Sequence, residues 1–76
     1  MEIFAKRLRQ ARVKEKISME ALSRLLNGLV SKQAISKYEA AKMMPSSTIL
    51  IALADALHMD LDYFFRSFAF DVQEMK

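Results

Sequence analysis

Apolar residues recur along this chain at helical spacing. Phe4, Leu8 and Ala11 follow i, i+4, i+7, while Lys6, Arg7, Arg9, Arg12, Lys14 and Lys16 fill much of the rest, which predicts a first helix over residues 3–15. Ser18 is placed as an N-cap, with Glu20 in the first turn where the helix dipole favours an anion. Leu22, Leu25 and Leu26 then form an apolar stripe, so a second helix is expected over 19–26. Asn27-Gly28 breaks it, since both residues tolerate left-handed backbone. Ser31 is a second N-cap. A third helix over 32–40 would turn Ala34, Ile35 and Tyr38 inward and leave Lys32, Gln33, Ser36 and Lys37 outside. Pro45 stops any helix running through Met44, and Ser46 caps a fourth over 47–57 with a buried stripe of Ile49, Leu50, Leu53, Ala54 and Leu57. Asp60 is read as the cap of a short fifth helix over 61–66 with Leu61, Phe64 and Phe65 inward, and beyond Phe68 the chain alternates weakly, as a strand does. No segment repeats. The pattern predicts an all-α fold, a compact five-helix bundle over 1–66, followed by a tail or linker over 67–76.

Composition sharpens this picture. A chain of 76 residues makes one small domain, and 53% apolar with 28% charged residues excludes disorder. A single Gly and a single Pro starve hairpin turns and argue against an all-β fold. Without Cys there are no disulfides, thiolate metal sites or Cys nucleophiles. The longest apolar run, Ile49 to Ala54, is six residues, far short of the roughly 20 a membrane span needs. Charges in Met1–Arg7 occupy the place of a signal peptide's apolar core. A soluble, cytoplasmic protein with no membrane partner is the expectation.

Charge is unevenly spread. Residues 1–42 hold ten Lys/Arg against four acids, and residues 43–76 hold two against five, so +6 and −3 make the whole-chain +3. A basic half beside an acidic half suggests a face for a polyanion, the plain alternative being a solvated helix surface. Two short helices joined by a turn containing Gly, the second polar on its outer face, form a helix-turn-helix signature. A helix about 10–12 Å across fits the major groove, and helix N-termini offer N–H groups to phosphate.

The runs Leu8-Arg9-Gln10-Ala11-Arg12, Ile17 to Leu22, Val30 to Glu39, Pro45-Ser46 and Leu53 to Leu57 resemble the lambda repressor/Cro-type (XRE) DNA-binding domain over about residues 4–66. The resemblance implies a five-helix bundle whose third helix enters the major groove, usually in a symmetric dimer. It places Lys32, Gln33, Ser36 and Lys37 on the base-reading face. It places Ser18, the backbone N–H of Met19, and Lys42 on phosphates, and it pairs Arg12 with Glu39 to tie helix 1 to helix 3. The chain departs from the family pattern in four ways. Met19 stands where a phosphate-binding Gln is common, and the turn from Leu26 to Ser31 is about two residues longer. The loop Lys42-Met43-Met44 is less basic. Lys16, Ala41 and His58 replace C-cap glycines, so these helices are expected to end differently. A fainter likeness, through Val30–Glu39 and Met43–Ser47, is to regulators that carry a C-terminal zinc-peptidase domain of the ImmA/IrrE kind. This chain has one His and no His-Glu-x-x-His, so it would be the N-terminal fragment of such a protein.

Each candidate has a plainer reading. Gln33 is placed to bind adenine through N6 and N7, against a surface Gln on any helix. Lys32 reaches guanine or a phosphate. Arg12 pairs with Glu39 in preference to phosphate. His58 lacks the further ligands a metal needs, and helix capping explains Asp60 and Asp62 without catalysis. Met43, Met44 and Met59 are read as filling gaps between helices. The reading is a non-enzymatic, sequence-specific DNA-binding transcriptional regulator of bacterial or phage type, with no cofactor, metal or small-molecule ligand. Its partners are double-stranded DNA and a second copy, dimerised through helix 4, helix 5 and the tail. The rival is a protein-interaction or dimerisation module that kept the fold and lost DNA binding.

Overall fold

Three serines start three of the helices. In the computed structural model, which describes residues 2–66, Ser18, Ser31 and Ser46 adopt extended backbone and accept hydrogen bonds from Ala21, Ala34 and Ile49 N–H. The elements are α1 (Glu2–Lys14), α2 (Met19–Leu25), α3 (Lys32–Glu39), α4 (Ser47–Ala56) and a 3-10 helix (Leu61–Phe65). The fold is all-helical with no strand among the described residues, and it has four α-helices where five were expected. Residues 61–65 wind as 3-10 because a five-residue run holding Asp, Tyr and two Phe is too short and too poor in helix formers to nucleate an α-helix. Asp60 occupies the N-cap position of this segment, but its side chain makes no capping bond. The alternating stretch from Phe68 lies outside the described residues.

The helix ends overturn one expectation. Lys16, Ala41 and His58 take left-handed backbone (φ 58°, 59° and 57°) without being glycine, and Asn27 does so at 54°. Each α-helix closes with the same pair of bonds. In α1, Lys16 N–H donates to Val13 carbonyl and Ile17 N–H to Arg12 carbonyl; in α3, Ala41 N–H donates to Tyr38 and Lys42 N–H to Lys37. Asn27 and Gly28 close α2, and His58 and Met59 close α4, in the same way. Ile17 and Met59, one residue past the turn, pack on the core and hold two of these ends in place.

The core is built from Phe4, Leu8 and Ala11 of α1, Leu22 and Leu26, Val30, Ile35 and Tyr38, and Leu53, Ala54, Leu57 and Phe64. Phe4 joins its aromatic part, edge-on to Phe64 at 5.4 Å and to Tyr38 at 6.4 Å. Several apolar side chains expected inside are outside. Leu25 is 57% exposed, and Leu61 and Phe65 are 44% and 50% exposed because a five-residue 3-10 turn buries Phe64 fully and Tyr63 only in part, leaving its other side to solvent. Met43 and Met44 lie on the surface, whereas Met59 is half-buried against the core. Arg7, read from the sequence as part of the basic surface, is 1% exposed. Its Nε donates to the Arg66 carbonyl at 3.0 Å, Nη1 donates to Gln10 Oε1 at 2.9 Å, and the guanidinium lies over the Tyr63 ring. The turn between α2 and α3 is braced by Ser23, whose hydroxyl donates to the Val30 carbonyl at 2.7 Å while Val30 is buried.

Candidate nucleic-acid interface

The surface of α3 follows from its helical period. Ile35 and Tyr38 are buried, so Lys32, Gln33, Ser36 and Lys37 are left on the exposed side. These four side chains, with Met19 from the start of α2 and Lys42 from the loop after α3, line a shallow hollow of about 430 Å³. Six of the seven residues named from the sequence as DNA contacts therefore share one concavity. The seventh, Ser18, caps α2 through its oxygen and keeps its hydroxyl hydrogen to donate. The hollow is ringed by three lysines and two uncharged polar side chains, so its field is positive and its rim can both donate and accept.

A second hollow of about 360 Å³ adjoins the first, sharing Met19 and Ser36, and is completed by Arg9, Arg12, Glu39 and Ala40. Arg12 is committed inside the domain. Its Nε donates to Glu39 Oε2 at 2.7 Å, Nη2 donates to Oε1 at 3.1 Å, and Nη1 donates to the Ile17 carbonyl at 2.9 Å. The forked pair leaves the Glu39 side chain 5% exposed. Hydrogen bonding to Glu39 pushes the Arg12 pKa up, with burial working against it and the charge of Glu39 adding to it. One guanidinium thus fastens the end of α1, the residue ahead of the Ser18 cap and the end of α3. Arg9 is different. It is exposed, opens onto the same concave surface, and was not singled out from the sequence. The signal was present, because Arg9 precedes Arg12 by one helical turn.

Other candidate chemistry is absorbed by structure. His58 Nδ1 lies 2.9 Å from Glu15 Oε1, joining the ends of α4 and α1, and Asp62 lies 3.7 Å from Arg66. Among the described residues no group of three or more His, Asp or Glu side chains is placed to hold a metal, and no helix is long and apolar enough to cross a membrane.

Comparison with known proteins adds one finding. Residues 8–64 match the family model described as helix-turn-helix, of the XRE type, a DNA-binding family whose members are typically non-enzymatic. The match runs from Leu8, midway along α1, to Phe64 in the 3-10 segment and gives no support to a peptidase domain. No curated protein and no solved structure matches the chain.

Proposed function

Since the chain belongs to the XRE-type helix-turn-helix family, we propose that it is a sequence-specific transcriptional regulator whose α3 lies in the major groove of DNA. The observation that carries this reading is the single hollow that gathers Lys32, Gln33, Ser36, Lys37 and Lys42 on the exposed side of the helix-turn-helix. Gln33 offers the amide geometry that pairs with adenine N6 and N7, and Lys32 and Lys37 reach guanine acceptors or flanking phosphates. Ser36 donates or accepts at a base edge. Lys42, the Ser18 hydroxyl and the Met19 N–H hold phosphates and fix the register in which α3 reads.

The assembly proposed is a two-fold dimer. Ile51 on α4 is 58% exposed, and Leu61 and Phe65 of the 3-10 segment are 44% and 50% exposed. These exposed apolar side chains lie on elements that do not contribute to the lysine-lined hollow. Pairing there sets two recognition helices about 34 Å apart on an inverted-repeat operator.

Selection of sites from a random DNA library with the purified chain, followed by affinity against salt, tests the reading. A preferred inverted repeat is expected, with log K falling linearly in log salt by about 0.9 per neutralised phosphate. Binding that is absent, or independent of salt, would instead support the interaction module, for which Met19, Met43 and Met44 in place of phosphate-binding side chains are the grounds.

A further inference from the structure

Met19 does not fit its surroundings. It opens α2, is half-buried against the core, and lines the hollow whose other walls are Lys32, Gln33, Ser36, Lys37 and Lys42. It also lines the adjoining hollow, where Arg9, Arg12, Ser36 and Glu39 surround it. In the first hollow every other lining side chain ends in a polar or charged group, although the stems of those side chains make most of the lined surface apolar, so Met19 is the one side chain there with no hydrogen-bonding end to offer.

When DNA fills that concavity, water leaves it and the thioether must meet something. A phosphate or a base amide pressed on it loses its hydration without gaining a hydrogen bond. Among the groups that base pairs display in the major groove, the C5-methyl of thymine is the apolar one. Methionine suits such a contact, since its unbranched, polarizable chain adapts to a small apolar partner.

We propose that the Met19 side chain reads the C5-methyl group of a thymine in the operator, while α3 reads hydrogen-bonding edges. The inference rests on the DNA-reading function proposed above. Specificity then has two chemically distinct sources, with α2 supplying an apolar one.

The test uses the full chain and its selected DNA site. Each thymine is replaced singly by uracil, which removes the methyl and keeps every hydrogen-bonding group. Wild-type affinity is expected to fall about fourfold at one thymine per half-site, the weight of one buried methyl group. Met19→Leu keeps that loss, whereas Met19→Ala and Met19→Gln bind the thymine and uracil sites alike. A second arm places 5-methylcytosine for cytosine. A methyl effect found only there, with every thymine indifferent to uracil, overturns the assignment to thymine. A flat uracil scan of the wild type overturns the inference whether or not any variant folds. A uracil loss that survives in Met19→Gln hands the methyl to another side chain and overturns it too. Selection that yields no preferred site defeats the DNA-reading proposal first, before any base is modified.

Discussion

Replacing Ala41 by glycine should stabilise the protein. Ala41 holds left-handed backbone at φ 59° to close α3, with its N–H on the Tyr38 carbonyl. An L-residue in that conformation costs about 1–2 kcal/mol. Glycine removes this cost but gains freedom in the unfolded chain, which opposes it by about 0.4–1 kcal/mol. A net gain of about 0–1.6 kcal/mol remains, with a midpoint of about 0.8 that corresponds to a rise in Tm of about 3–6 °C for a domain this small. Lys16→Gly should behave alike, because Lys16 is exposed and closes α1 at φ 58°. His58→Gly should gain less, since it also gives up the 2.9 Å contact with Glu15. Asn27→Gly is the control. Asn tolerates left-handed backbone, so little change is expected there. Urea melts with unchanged m-value supply the readout. A lower midpoint for both Ala41→Gly and Lys16→Gly would show that the left-handed turns carry no strain.

Gln33→Ala should cost roughly 1–3 kcal/mol at the best site and relax specificity at one or two base pairs. Lys42→Ala and Arg9→Gln should instead weaken all sequences alike and each flatten the salt slope by about one unit; uniform loss in all three variants would mean that α3 does not read bases. Arg12→Ala strands a Glu39 side chain only 5% exposed, which should destabilise by about 3–5 kcal/mol in denaturant melts, and a loss below about 1 would mark the pair as solvent-screened. Burial raises the Tyr38 pKa above its ordinary value of 10.0. The folded state therefore holds that proton longer than the unfolded one, and stability should fall as pH rises above about 10. Tyr38→Phe should flatten that alkaline arm in melts at pH 9 to 11, and an unchanged arm would assign it to other groups.

Much of this architecture is legible in the chain because local signals agree with tertiary needs. Ser18, Ser31 and Ser46 name their helices' starts, since capping is a contact within four residues. Spacing finds Ile35 and Tyr38, and hence the outer face of α3. Arg7 is hidden because a basic residue among basic neighbours reads as surface, and only the approach of Tyr63 and the Arg66 carbonyl, 56 and 59 positions away in sequence, makes its site a core one. Leu25 and Phe65 fail for the converse reason, since hydrophobicity alone does not say which side of a short element finds a partner. The left-handed ends at Lys16, Ala41 and His58 escape residue preference because packing at Ile17 and Met59 and paired backbone bonds outweigh a cost of about 1 kcal/mol. Arg9 shares a helix face with Arg12 by spacing alone, but that this face opens beside α3 follows only from the packing of the two helices.

The bond from the Ser23 hydroxyl to the Val30 carbonyl has a thermodynamic consequence. A turn of this length with an exposed Leu29 would ordinarily fluctuate in the free protein and have to be frozen on forming a complex. Freezing each residue costs about 1–2 kcal/mol of backbone entropy, drawn directly from affinity. Here Asn27 and Gly28 are fixed at one end by their bonds to Arg24 and Ser23 carbonyls, and Val30 is fixed at the other by the Ser23 hydroxyl. The turn is ordered by folding rather than by association. In calorimetry, complex formation should then show a heat-capacity change set by the contact area alone, without the larger negative excess that accompanies coupled folding.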